Sequence, residues 1–130
     1  MLYPYYYVKM LYDGLVEAGE TEVISLTRAA YPGSQKYGAA VWNGDIVSDW
    51  RALRQSVTSG LSMAMCGIPW WNSDIGGFLN GDTESEEFRE LLVRWFQFGL
   101  FSPIMRLHGD RKRTKDQPDP HQSVIFCGQF

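Results

Sequence analysis

The sequence predicts an α/β fold built on a parallel sheet. Short apolar, β-rich runs alternate with longer segments whose apolar residues recur at helical spacing. Such alternation favours parallel strands joined by right-handed helical crossovers. Each apolar run is also followed closely by a polar or charged residue: Arg28, Asp45, Asp74, then Arg106 and His108. A (β/α)8 barrel gathers its functional groups at the C-terminal ends of its strands, so the pattern suits a barrel. An open doubly wound sheet would alternate in the same way. It would lack a reason for four successive strands each to deliver a polar group.

The elements follow in order. Residues 5–18 read as an amphipathic helix with Tyr6, Met10, Leu11 and Leu15 on its apolar face, ended by Gly19. A short strand at 23–27 breaks at Ala30-Tyr31-Pro32-Gly33, a loop signal. The apolar run 39–42 is a second strand, ending in Asn43-Gly44-Asp45. A helix then runs from Trp50 through Leu53, Val57, Leu61 and Met65 and closes near Gly67. The third strand, Ile68-Pro69-Trp70-Trp71, leads into Asn72-Ser73-Asp74 and Gly76-Gly77. Adjacent strand residues point to opposite faces, so at least one of Trp70 and Trp71 is structural. Ser85 is an N-cap and Glu86-Glu87 an acidic first turn for a helix with Phe88, Leu91, Leu92, Trp95 and Phe98 on one face. Trp95, Phe96 and Phe98 are expected to pack rather than to do chemistry. Residues 101–107 read as a fourth strand leading to His108-Gly109.

Bulk properties narrow the class. Of the 130 residues 45% are hydrophobic and 15% aromatic, enough for a sizeable core. A charged fraction of 21% and a net charge of -3 argue against a disordered tail and against a nucleic-acid partner. The basic run Arg111-Lys112-Arg113-Thr114-Lys115 reads as a solvated loop, and His121 as a loop residue. Cys66 and Cys127 sit in no metal or redox spacing, and Cys66, inside an apolar run, is expected to be a small buried thiol. No motif implies a metal, a nucleotide or another cofactor. The N-terminal residues lack the basic-then-apolar pattern of a signal peptide, and no apolar run approaches the ~18 residues of a membrane span. No membrane partner is therefore expected. The compartment stays open between bacterial cytoplasm and periplasm, and so does the oligomeric state.

Four motifs carry a resemblance. Trp42-Asn43-Gly44-Asp45 with Trp50 matches W-x-G-D followed by a Trp. Residues 67–78, from Gly67 to Phe78, match G-x-P-x-W-x-x-D-I-G-G-F. Arg94-Trp95-Phe96-Gln97, then Phe101 to His108, match R-W-x-Q and F-x-P-x-x-R-x-H. Arg28 with Gly33-Ser34-Gln35-Lys36-Tyr37 resembles R-x-x-x-x-G-x-Q-R-Y, with Lys36 where Arg is usual. In this order the four resemble glycoside hydrolase family 31, the α-glucosidase and α-xylosidase family. The wording around Trp70-Trp71 is similar to the branch with bacterial α-xylosidases.

The resemblance implies that the strands are the fifth to eighth of a (β/α)8 barrel, and that residues 1–130 are a partial catalytic domain truncated at both ends. The family's nucleophilic Asp belongs to the fourth strand, in a motif this sequence does not contain. The implied activity is retaining hydrolysis of terminal α-linked glucosyl or xylosyl residues in an oligosaccharide or α-glycoside. That chemistry needs two carboxyl groups about 5–5.5 Å apart across the scissile bond. Asp45 resembles the general acid/base. Asp74 resembles a sugar-hydroxyl acceptor rather than a second catalytic carboxylate. Arg28 and Arg106 offer planar donors for vicinal hydroxyls and carboxylates. A cation beside Asp45 opposes the protonated state an acid needs, so Arg28 sets a tension. His108 resembles the family's sugar-binding His, and Trp42 and Phe78 could pack on apolar sugar faces. Gly76 and Gly77 free the backbone to turn sharply near substrate. Two other outcomes fit the residues: a barrel that only holds sugar, and an inactive truncated product with unpaired strand edges.

Overall fold

The computed structural model describes residues 2–112. Three helices and five short strands alternate along them: α1 (Tyr3–Glu17), β1 (Ser25–Thr27), β2 (Ala39–Trp42), α2 (Trp50–Met65), β3 (Trp71–Asn72), β4 (Gly81–Asp82), α3 (Glu86–Gly99) and β5 (Arg111–Lys112). The first three strands form a parallel sheet in the order β1-β2-β3. Thr27 lies beside Val41, Val41 beside Trp71, and Trp42 beside Asn72. β4 and β5 pair separately, also in parallel.

Helix α1 has Pro4 in its first turn, where a missing N–H costs nothing. Its buried face differs from the expected one. Val8 is fully buried with Tyr5 and Tyr12 beside it, against Tyr37 and Ala39, whereas Tyr6 and Met10 are about 60% exposed. The aromatic spacing over Tyr5, Val8 and Tyr12 decides the orientation, because the short turn Ser34–Tyr37 supplies Tyr37 as an aromatic partner. That turn was not legible in the sequence.

Helix α2 is capped by Asp49, whose Oδ1 accepts from the Ala52 N–H at 2.6 Å. Its buried residues are Ala52 and Ser56, while Trp50, Leu61 and Met65 of the expected apolar face are exposed. Small side chains let this helix lie close on the sheet. At Gly60 an added Cβ would stand 2.7 Å from the Trp71 indole nitrogen. Cys66, the C-cap residue of α2, is exposed and not a buried thiol, since the helix end lifts it away from the sheet.

Helix α3 follows expectation. The Ser85 hydroxyl accepts from the Phe88 N–H, Glu86 and Glu87 occupy the first turn, and Phe88, Leu91 and Trp95 are buried. They join Ala52 and Ile75 in the largest core cluster, with Leu92 and Phe98 packed against it. Burying a side chain such as Leu91 contributes about 1.5–3 kcal/mol. Phe96, expected to pack, is 40% exposed.

The fourth expected strand, residues 101–107, does not form. The chain turns instead: Phe101 and Ser102 donate their N–H groups to the Phe98 and Gly99 carbonyls, and the Ser102 hydroxyl donates to Phe98. Pro103, lacking an N–H, cannot continue a ladder. The segment meets the sheet side only through the Ile104 N–H, which donates to the Trp71 carbonyl at 3.3 Å, and an isolated parallel bridge between Arg106 and Asp74. Trp71 is buried and Trp70 is 48% exposed, so adjacent residues do face opposite ways. Of the basic run expected as a loop, Arg111 and Lys112 instead form β5, whose pairing with β4 outweighs their charge; Arg113 to Lys115, His121 and Cys127 lie outside the described residues.

Candidate active site

The strand register lines up the site. Because Thr27 neighbours Val41 and Val41 neighbours Trp71, the next row carries Arg28, Trp42 and Asn72. Two residues beyond Asn72, on the same face, stands Asp74, bridged to Arg106. Val41 and Trp71, one residue earlier, face the opposite way into an apolar cluster with Ile68. One side of the sheet is therefore core, and the other presents charge.

Contacts join five of the seven candidate residues, Asp45, Arg28, Trp42, Arg106 and Asp74, and pair the other two, Phe78 and His108, with each other. Arg28 Nη2 donates to Asp45 Oδ2 at 2.5 Å. The Arg28 guanidinium lies 5.3 Å from the Trp42 ring, and the Arg106 guanidinium 5.6 Å from the same ring. Arg106 Nη2 donates to Asp74 Oδ1, and the Phe78 and His108 rings stack at 5.0 Å in a tilted pair. Trp42 is the common surface, since both cations can rest on its π-face.

The two carboxylates differ in environment. The Asp45 side chain is 38% exposed and that of Arg28 60%, so their ion pair is open to solvent. Asp74 is fully buried. Burial pushes its carboxyl above the usual carboxylate range, Arg106 and His108 pull it down, and the negative charge of Asp45 adds to the rise. Asp45 and His108 therefore both lie within electrostatic reach of Asp74. Asp74 Oδ1 is taken by Arg106, while Oδ2 accepts no hydrogen bond among the described residues.

The loop bearing Asp45 is held from below. Asn43 Nδ2 donates to the Ser56 hydroxyl at 2.8 Å, and Ser56 donates to the Ala52 carbonyl. The turn at Gly76 and Gly77 then ties the two site loops together. Both glycines have positive φ, and the Phe78 and Leu79 N–H groups donate to the Ile46 carbonyl. At Gly77 a Cβ would stand 2.8 Å from the Ser48 backbone, so its freedom is used for approach by the chain itself. An open hollow of about 680 Å³ runs from Asp45 along α2, and another of about 310 Å³ lies against Arg28 and Trp42.

Sequence reasoning passed over three of these residues. Asn43 and Ser56 anchor the Asp45 loop, and Asn72 is fully buried between strands. The signal for Asn72 was an amide inside an apolar strand, two residues before Asp74. Among the described residues no group of three His, Cys, Asp or Glu side chains gathers as a metal would require, and no helix is long and apolar enough to cross a membrane.

Carboxylates, guanidinium groups, a histidine and aromatic faces at parallel strand ends define a barrel-type domain with a polar, carbohydrate-compatible site. Comparison with known proteins gives the family. The profile described as "Glycosyl hydrolases family 31 TIM-barrel domain" matches residues 1–125. A solved α-xylosidase of this family from a soil metagenome, complexed with xylose, superposes with a TM-score of 0.82 at 48% identity, over 95% of this chain and 18% of that one. The α-xylosidase of Saccharolobus solfataricus is 41% identical over 126 residues, 95% of this chain and 17% of that protein. An uncharacterized family 31 glucosidase of Pseudescherichia vulneris is 44% identical over 110 residues, 85% of this chain and 21% of that protein. The chain belongs to glycoside hydrolase family 31. It spans about a fifth of the length of these relatives.

Proposed function

We propose that this chain supplies the acid/base side and part of the sugar-holding wall of a retaining α-glycosidase, as the fifth to eighth strand positions of its barrel. The substrate class is a terminal α-linked xylosyl or glucosyl residue. The observation that supports this most is the linked row: Arg28 past β1, Trp42 and Asp45 at the end of β2, Asp74 past β3, and Arg106 bridged to Asp74 with His108 in electrostatic reach of it.

In this reading Asp45 donates its proton to the departing glycosidic oxygen as the anomeric C–O bond breaks. A carboxylate contributed from outside these 130 residues forms the new bond to the anomeric carbon. Asp45 then takes a proton from water, which attacks that carbon and releases the sugar with retained configuration. A strand pairing with the free edge of β1, where Leu26 is 47% exposed, would bring such a carboxylate close to Arg28 and Asp45. Asp74 accepts a sugar hydroxyl on Oδ2, while Arg28, Arg106 and His108 offer donors around the ring. Trp42 and Phe78 cover apolar ring faces. The Arg28–Asp45 pair holds the carboxylate left after Asp45 has given up its proton, and because it is solvent-exposed, its making and breaking cost little.

The test uses the whole protein with aryl α-xyloside and α-glucoside, following the first-formed anomer by NMR. Retention supports the reading. Inversion removes it in favour of a direct water attack, and binding without any turnover removes it in favour of a barrel that merely holds sugar.

A further inference from the structure

We infer that Asn72 is a positioning residue for Arg106, and through it for the sugar-holding face of Asp74; this deepens the glycosidase reading and rests on it. Asn72 is fully buried. Its side-chain Nδ2 donates to the Val41 carbonyl at 3.4 Å, and its Oδ1 accepts from Arg106 Nε at 3.3 Å. The amide has one orientation that satisfies both neighbours, because the carbonyl can only accept and the guanidinium can only donate. Asn72 therefore reads across from β2 to the bridge at Arg106 in a fixed sense.

Arg106 is then held at two points. Nε is given to Asn72 and Nη2 to Asp74 Oδ1, which fixes both the plane and the roll of the guanidinium. Nη1 is the nitrogen that neither takes, and Asp74 Oδ2 is the oxygen Arg106 does not take. Holding Nε and Nη2 in place leaves Nη1 as the donor whose direction Asn72 helps to set. With the Nε contact gone, the guanidinium can swing about its last side-chain bond while keeping its ion pair. The charge would stay and the alignment would go. The nearby Trp42 ring, 5.6 Å from the guanidinium, holds it on one face only and does not set its roll.

The experiment compares Asn72→Leu, which keeps the volume without polar atoms, with Asn72→Asp, which keeps an acceptor for Nε, in the whole protein. Losing a hydrogen bond to a charged group predicts a rise in KM of about tenfold for Asn72→Leu, with kcat changed by less than about threefold. Asn72→Asp should bring KM part of the way back, since the acceptor for Nε returns while the donor to Val41 is lost and a buried charge is added. A loss shared by kcat, KM and Tm that Asn72→Asp does not relieve would overturn the proposal in favour of a purely structural amide. Crystal structures of both variants read the same claim without turnover. A guanidinium displaced in Asn72→Leu and restored in Asn72→Asp supports it, and one unmoved in Asn72→Leu overturns it. If the wild-type protein cleaves no glycoside, the glycosidase reading fails on its own, and the structures still decide whether Asn72 sets Arg106.

Discussion

Arg28 Nη2 donates to Asp45 Oδ2 at 2.5 Å although seventeen residues separate the two in sequence. The pair exists because β1 and β2 are parallel neighbours in register, so residues just past their ends emerge side by side. It is an exposed pair, at 60% and 38%, and exposed ion pairs contribute only about 0–1 kcal/mol. Its loss should therefore leave the fold intact.

That separation of stability from chemistry gives the first prediction. In the whole protein, Asp45→Ala should slow cleavage of natural disaccharides by about 10²–10⁴-fold, the usual contribution of a general acid. Aryl glycosides with good leaving groups should lose far less, because they need little protonation. Tm should stay close to wild type. Steady-state rates on both substrate types check this, and equal losses on the two would remove Asp45 from the acid role.

The isolated 130-residue chain should hydrolyse neither aryl α-xylosides nor aryl α-glucosides. Retaining hydrolysis requires a pair of carboxyl groups, and the proposed nucleophile lies outside this sequence. Turnover by the purified chain, abolished by Asp45→Ala, would show that the second carboxyl is already present within it.

Asp74 predicts a pH dependence. Its carboxyl is pushed up chiefly by burial, so the folded protein binds a proton that the unfolded chain has released. The contribution to stability is therefore full below the ordinary carboxylate value of about 4 and declines as pH rises through the raised folded value. Asp74→Asn should flatten that decline in denaturant titrations across pH. Sugar binding needs the ionised acceptor and runs the other way, so the acid limb of kcat/KM should sit above the ordinary carboxylate range. An acid limb at the ordinary value, or one unchanged in Asp74→Asn, would detach Asp74 from substrate.

Gly60→Ala sets local preference against packing. In a free helix the change would stabilise by about 1 kcal/mol. Here the new Cβ would lie 2.7 Å from the nitrogen and 2.9 Å from a ring carbon of the buried Trp71 indole. Overpacking costs about 1–3 kcal/mol and should win, because the ring is wedged beside Val41 and Ile68 and cannot step aside. Thermal denaturation checks the sign: Tm should fall, and a rise would mean that Trp71 repacks freely.

The sequence by itself determined the helices and the second strand, and it singled out the candidate site residues. Those features are local or are carried by motifs: Ser85 with Glu86 and Glu87 starts α3, and the 39–42 run is β2 as read. It did not determine which faces are buried. Tyr6, Leu61 and Met65 have the right spacing for a core but stand exposed, because burial depends on what another element brings opposite. For the same reason the expected fourth strand is reduced to one bridge at Arg106. The turn bonds of Phe101 and Ser102 and the missing N–H of Pro103 outweigh the apolar pattern. Tertiary structure alone decided that Arg28 meets Asp45, that Trp42 lies against two guanidinium groups, and that Asn72 braces Arg106. Each of these contacts spans separate strands, and the register between strands sets distances that no spacing along one chain segment encodes.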